Sequence, residues 1–320
     1  MQIIDFKPVS TYTGPVIYRR MLVVVSLLAA LVWTRPAVLV SQALPRALYV
    51  SVVDQSGMPV PDLGPADFIV REDNLSREVI RVGPADDPMQ IAILVDDSTA
   101  ARDQVIDIRR ALPGFIDALL APGEAGRKNQ ISIIGLGNRP TVLSDYTTDR
   151  AQLVKAADRV WQQVNAGNYL LDATMEVIQG FKKRDASRPV VVALTTDGQE
   201  LSTAGYDRVL EALGGSNAMF NVISLGSPAP ATDDQARSRD IVVSQGPDVT
   251  GGFHDRLLAS MALTGKLQQV ANVLTHEYRV TYGHPDTLIP PEHVTVSVRR
   301  SGLTARGRLV KNQQGPQGRP

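Results

Sequence analysis

The chain contains no cysteine, few aromatic residues and no excess of charge of either sign. Without cysteine there is no disulfide, no thiolate metal ligand, no cysteine nucleophile and no lipid attachment through sulfur. The balance of 33 Lys and Arg against 33 Asp and Glu gives a formal net charge of zero. A nucleic-acid-binding domain carries a basic excess, so no nucleic-acid partner is expected. Long apolar runs are also scarce. The longest, over 21–33, has Ser26 as its only polar residue and is short for a helix spanning ~30 Å of hydrocarbon. The usual catalytic signatures are missing as well. There is no Gly-x-Ser-x-Gly elbow and no phosphate-binding loop. His276-Glu277 has no histidine four residues on, so no zincin motif exists. Gly135-Leu136-Gly137 has Pro140 at the third glycine position of a dinucleotide fingerprint, and reads as a turn.

What is present begins with an N-terminal export element. Arg19-Arg20 precede the 21–33 run, and Ser41 and Ala43 supply small residues at −3 and −1 for cleavage. Residues 1–43 therefore read as a signal peptide or, if uncleaved, an N-terminal membrane anchor. Either places the protein outside the cytoplasm: periplasmic, secreted or held on the membrane.

With 43% hydrophobic residues over 320 positions, the chain can bury one large core or two smaller ones. Residues 44–88 read as β-rich. Strand-like stretches at 47–53, 67–72 and 76–82 are separated by turns at Asp54-Gln55-Ser56-Gly57 and Asp73-Asn74. The texture changes at 89. A continuous apolar run at 91–95 and further strand-like stretches at 130–136, 189–194 and 218–225 suit strands buried on both faces of a parallel sheet. Between them, 102–120, 150–164, 171–181 and 206–213 show helical patterns, and 141–143 reads as a short extra strand. Strands alternating with helices predict an α/β fold with a doubly wound, mostly parallel sheet over 89–276. The polar stretch 227–250 reads as a long loop and 255–274 as a closing helix. Alternating strands return over 277–310, and 311–320 reads as a disordered tail. The two β-rich flanks are each too small to stand alone. They are expected to pair, 277–310 with 44–88, into one small β-domain carrying the α/β domain as an insertion.

The candidate site follows from this sheet, because ligands of doubly wound sheets bind at the carboxyl ends of strands. Asp96 and Ser98 stand directly after the first parallel strand, two residues apart. Asp197-Gly198 follows the strand at 189–194. Asn168 lies just ahead of the helix at 171–181. Carboxylate, hydroxyl and amide oxygens meeting at one sheet edge make a hard-cation site suited to Mg²⁺ with retained waters. Taken singly, the same residues are ordinary helix caps and turns.

The segments LVDDSTA, GNYLLDA and LTTDG, in this order and spacing, resemble the three segments of the metal-ion-dependent adhesion site of von Willebrand factor type A domains. The resemblance implies Asp96, Ser98, Asn168 and Asp197 as the metal ligands and Mg²⁺ as the cation. It departs from the family at two places. Ala100 stands where a second serine belongs, and Asn168 where a threonine belongs, so the site reads as degenerate. The flanks, with VVDQSGMPVPDLGPADFIVREDN and EYRVTY, resemble an exported bacterial subfamily with related domains. The implied function is a non-enzymatic protein-binding, adhesion-type or scaffold module, with an acidic residue of a protein partner completing the metal site. The alternative is a Mg-dependent phosphohydrolase of the haloacid dehalogenase type using Asp96. That chemistry wants a second carboxylate two residues on, and position 98 is Ser.

Overall fold

The computed structural model describes residues 44–121, 126, 128–285, 291 and 293–310. The expectations for 1–43 and 311–320 lie outside the described residues. Among the described residues, no helix is long and apolar enough to cross a membrane.

The N-terminal flank forms β1 (Leu44–Val53), β2 (Phe68–Glu72), β3 (Leu75–Arg77) and β4 (Val79–Pro84). The C-terminal flank forms β11 (Tyr278–His284), β12 (Val294–Val298) and β13 (Thr304–Leu309). They interleave as expected. One sheet has the order β13-β1-β11-β4 and the other β12-β2-β3. Leu48, Val50, Val52, Phe68, Val70, Val280 and Tyr282 fill the space between them. The single strand read over 76–82 is two: β3 pairs with β2 while β4 pairs with β11. Asp73 and Asn74, both at positive φ, make the tight hairpin between β2 and β3.

Between β4 and β11 lies the α/β domain. Its sheet is built from β5 (Met89–Val95), β6 (Gln130–Gly135), β7 (Thr141–Thr147), β8 (Arg188–Thr196), β9 (Met219–Leu225) and β10 (His254–Leu257), in the order β10-β9-β8-β5-β6-β7. All pairings are parallel except that of β7, the edge strand, with β6. Every residue of β8 and β9 is buried, as central strands covered by helices on both faces of a parallel sheet must be. The helices are α1 (Val105–Leu120), α2 (Arg150–Ala157), α3 (Leu170–Lys183), α4 (Tyr206–Gly214), α5 (Asp234–Thr250) and α6 (Leu263–Thr275). Residues of α1, α2 and α6 pack on one face of the sheet and residues of α3, α4 and α5 on the other.

Three sequence expectations are corrected. The helix read over 150–164 ends at Ala157, because the chain beyond it is drawn to Asp97: Gln163 donates its backbone N–H to the Asp97 carbonyl at 2.7 Å and its Nε2 to the carboxylate at 3.0 Å. The loop read over 227–250 is mostly the helix α5, capped by the Asp233 carboxylate, which accepts from the Ala236 N–H. Its buried stripe includes Arg239, Gly246, Pro247 and Thr250, so hydrophobicity alone hides the helical period. At Gly246 a Cβ would lie 2.9 Å from the Phe220 ring, so helix and strand approach too closely for a side chain. Finally, the helix read over 255–274 begins only at Leu263, and its first part is the strand β10, parallel to β9.

Candidate functional site

Register brings the motif residues together. β5 and β8 are parallel neighbours with Val95 opposite Leu194, so Asp96 emerges beside Thr195 and Thr196. The Asp96 N–H donates to the Leu194 carbonyl at 2.8 Å, which fixes the turn at its own backbone. The Asp96 side chain is fully buried. Its Oδ2 accepts from the Thr196 N–H at 2.9 Å, the Thr196 hydroxyl at 2.6 Å and the Asn168 Nδ2 at 2.9 Å. Its Oδ1 accepts from the Ser98 N–H at 2.9 Å. A buried carboxylate is tolerated only when so compensated.

Asn168 is stitched between loops by its backbone. Its N–H donates to the Gln199 carbonyl at 2.7 Å, and its carbonyl accepts from the Leu201 N–H at 2.8 Å. The side-chain amide turns its Nδ2 inward, donating to Asp96 and, at 3.0 Å, to the Thr195 hydroxyl. Ser98 Oγ and Asn168 Oδ1 are buried polar atoms with no hydrogen-bond partner.

Asp197, whose side chain is only 11% exposed, is engaged elsewhere. Its Oδ2 lies 3.0 Å from Arg256 Nη1 and accepts from the Ala229 N–H at 2.9 Å, while its Oδ1 accepts from Arg256 Nη2 at 3.1 Å. Arg256 sits on β10, the strand that the sequence pattern had assigned to a helix. The signal available for it was Gly251-Gly252 just upstream, a helix-stopping pair. Ala100 faces Gly198, where a Cβ would lie 2.5 Å from its own.

The neighbouring polar residues are architectural. Asp97 Oδ1 accepts from the Gly137 N–H at 2.6 Å. A Cβ at Gly135 or Gly137 would press to within 2.8 or 3.0 Å of this carboxylate, so the Gly-Leu-Gly stretch makes room for Asp97. Thr99 clasps the loop ahead of Asn168, donating its hydroxyl to the Gln163 carbonyl at 3.2 Å and accepting from the Ala166 N–H at 2.9 Å. Glu200, which sequence reasoning did not single out, is buried beside Asn168. Burial pushes its pKa up to about 7, against the opposing pull of Ser202, the Leu171 amide and Arg239.

These groups do not fit a divalent cation as they are arranged. Mg²⁺ requires a near-octahedral oxygen set. Asp96 already takes four protein donors, Asn168 turns its N–H rather than its oxygen toward Asp96, Asp197 is ion-paired, and Ala100 has no oxygen to give. Ser98 Oγ and Asn168 Oδ1 remain as acceptors, enough to partner an ordered water. Among the described residues, no cluster of three or more His, Asp or Glu side chains is placed to hold a metal.

No family model matches the chain, and no curated protein matches it. Among solved structures, the chain is similar to a von Willebrand factor type A protein from Catenulispora acidiphila at 12% identity, with a TM-score of 0.48 over 85% of this chain and 74% of that one. It is similar to the BatB protein from Bacteroides thetaiotaomicron at 14% identity, with a TM-score of 0.42 over 58% of this chain and 98% of that one. It is also similar to the vWF domain of the type V pili tip protein Mfa5 from Porphyromonas gingivalis at 10% identity, with a TM-score of 0.46 over 59% of this chain and 96% of that one.

Proposed function

We propose that the chain is an exported, non-enzymatic protein-binding module of the von Willebrand factor A type, which presents the C-terminal edge of its parallel sheet to a protein partner. The observation that carries this reading is the construction of that edge. Loops 97–104, 158–169 and 197–205 are tied to one another through Asp97, Thr99 and Asn168. Yet they leave Trp161, Val164 and Leu201 exposed by 60%, 74% and 39%. Large side chains held out on a tied rim are what a protein interface uses as anchors, and the Trp161 ring additionally carries the Arg109 guanidinium over one face at 3.9 Å. The acidic partner residue implied by a bound metal loses its rationale here, because the polar centre does not fit the metal. Apolar contacts at the rim carry the binding instead.

The phosphohydrolase alternative asks Asp96 to attack a substrate. Its carboxylate is fully buried, with three donors on Oδ2 and one on Oδ1, an arrangement that holds it as a structural acceptor rather than presenting it to a substrate as a nucleophile. Phosphatase turnover of a generic aryl phosphate that disappears in Asp96→Asn would overturn the non-enzymatic reading.

The direct test is affinity capture from envelope fractions with the wild type and with the double variant Trp161→Asp/Leu201→Asp. The expected result is a partner enriched by the wild type and lost with the variant, whose circular dichroism and melting temperature match the wild type. A partner retained undiminished by the variant, or repeated failure to enrich any protein, would contradict it.

A further inference from the structure

We infer that Asn168 and Arg256 do the work of a cation at this sheet edge, so that the site is closed by protein groups and needs no metal. The inference concerns the site's internal chemistry and holds whatever binds the rim. Two carboxylates converge on the ends of β5 and β8, and each needs compensation. Asp96 receives the Asn168 Nδ2 at 2.9 Å together with the two Thr196 donors and the Ser98 amide. Asp197 receives both terminal nitrogens of Arg256, at 3.0 and 3.1 Å. A planar guanidinium opposite a carboxylate is the strongest such pairing available to a side chain.

Neither compensating group is free to leave easily. Arg256 projects from a strand rather than a loose loop. It stands in register with Ser224 of β9, and the His254 ring, one step along the same strand face, bonds the Ser224 hydroxyl at 2.9 Å. Just upstream, a Cβ at Gly252 would overlap the Phe220 carbonyl, so the chain entering β10 is pressed against β9. The strand therefore holds the guanidinium where the counter-charge is needed. Asn168 is fixed by its backbone bonds to Gln199 and Leu201. Turning its amide to offer Oδ1 to a metal would abandon the two Nδ2 bonds, to Asp96 and Thr195, and point an oxygen at a buried carboxylate. A threonine at this place has one hydroxyl and no such conflict. Ala100 removes a further oxygen donor. The two departures from the family pattern, Ala100 and Asn168, and the placement of Arg256 on β10 thus act in the same direction.

The test titrates Mg²⁺ and Mn²⁺ into the full chain, followed by calorimetry and by melting temperature. The wild type is expected to give no saturable heat and no saturable shift. The triple variant Ala100→Ser/Asn168→Thr/Arg256→Gln is expected to gain saturable Mn²⁺ binding, lost again on adding Asp96→Asn. Saturable binding by the wild type that Asp96→Asn removes would overturn the inference, and so would a folded triple variant that binds nothing. If the triple variant does not fold, the wild-type titration decides alone: saturable binding sensitive to Asp96→Asn refutes, and its absence upholds.

Discussion

Replacing Glu277 with alanine should lower the unfolding free energy by about 3–5 kcal/mol, the cost of removing one partner from a buried ion pair. Glu277 is enclosed between two guanidiniums at the junction of the β-sandwich and the α/β domain. Arg188, at the head of β8, donates to Glu277 Oε2 at 2.6 and 3.1 Å and to the Leu274 and Ala85 carbonyls at 2.6 and 2.9 Å. Arg308, on β13, donates to the same carboxylate at 2.6 and 3.1 Å. Both guanidiniums also lie over the Tyr49 ring, at 5.3 and 5.2 Å. Burial works against the Glu277 charge, but Arg308 and Arg188 together hold its pKa below the usual carboxylate value. Without it, two cations face each other out of water. Arg150→Ala, which breaks the exposed pair with Asp117, should cost no more than about 1 kcal/mol. Urea denaturation of both variants measures the contrast. A Glu277→Ala loss under about 1 kcal/mol would mean that the junction is not held by this triad.

The second large effect concerns pH. Glu200 has a folded pKa of about 7 because burial penalises its charge, against an ordinary value near 4.3 for the unfolded chain. The group is therefore protonated in the fold over a range where the unfolded chain has ionised. Its contribution to stability is fully present below the unfolded pKa, falls as pH rises from about 4.3 to about 7, and changes no further above that. The total is on the order of 3 kcal/mol. Glu200→Gln should flatten this slope, leaving the protein more stable than the wild type at pH about 8 and nearly equal to it at pH about 4. Denaturation curves across that range test it. A wild-type slope that the substitution leaves unchanged would show that Glu200 is already ionised in the fold. Because Gln199 and Leu201 hold Asn168 by its backbone, the same titration should loosen the rim loop first, visible as faster amide exchange over 198–204 above neutral pH.

The features most legible in the sequence were those that repeat along the chain. The apolar runs of β5, β8 and β9 announced a parallel sheet, and the polar residues following β5 and β8 marked its carboxyl edge. The pairing of flanks followed from their size and alternation, and β1 does lie between β11 and β13. Helix α5 escaped because its buried stripe mixes Ala236, Val242 and Val243 with Arg239, Gly246, Pro247 and Thr250, which blurs the apolar period. Arg256 escaped with it, since a four-residue strand between two helices has no period long enough to read. Arg188, Glu277 and Arg308 are far apart in sequence, and only the fold makes them one cluster. The direction of the Asn168 amide is likewise set by Asp96 and Thr195 in space, so a position that reads as an oxygen ligand becomes a hydrogen-bond donor.

The most direct test of the central claim is a crystal structure of the full chain grown or soaked with Mn²⁺, with anomalous scattering recorded at the sheet edge. The expected result is no anomalous peak between Asp96 and Asp197, the Asn168 Nδ2 within hydrogen-bond distance of Asp96, and the Arg256 guanidinium on Asp197. A Mn²⁺ ion at about 2 Å from Asp96 and the Ser98 hydroxyl, with Arg256 swung away, would contradict it.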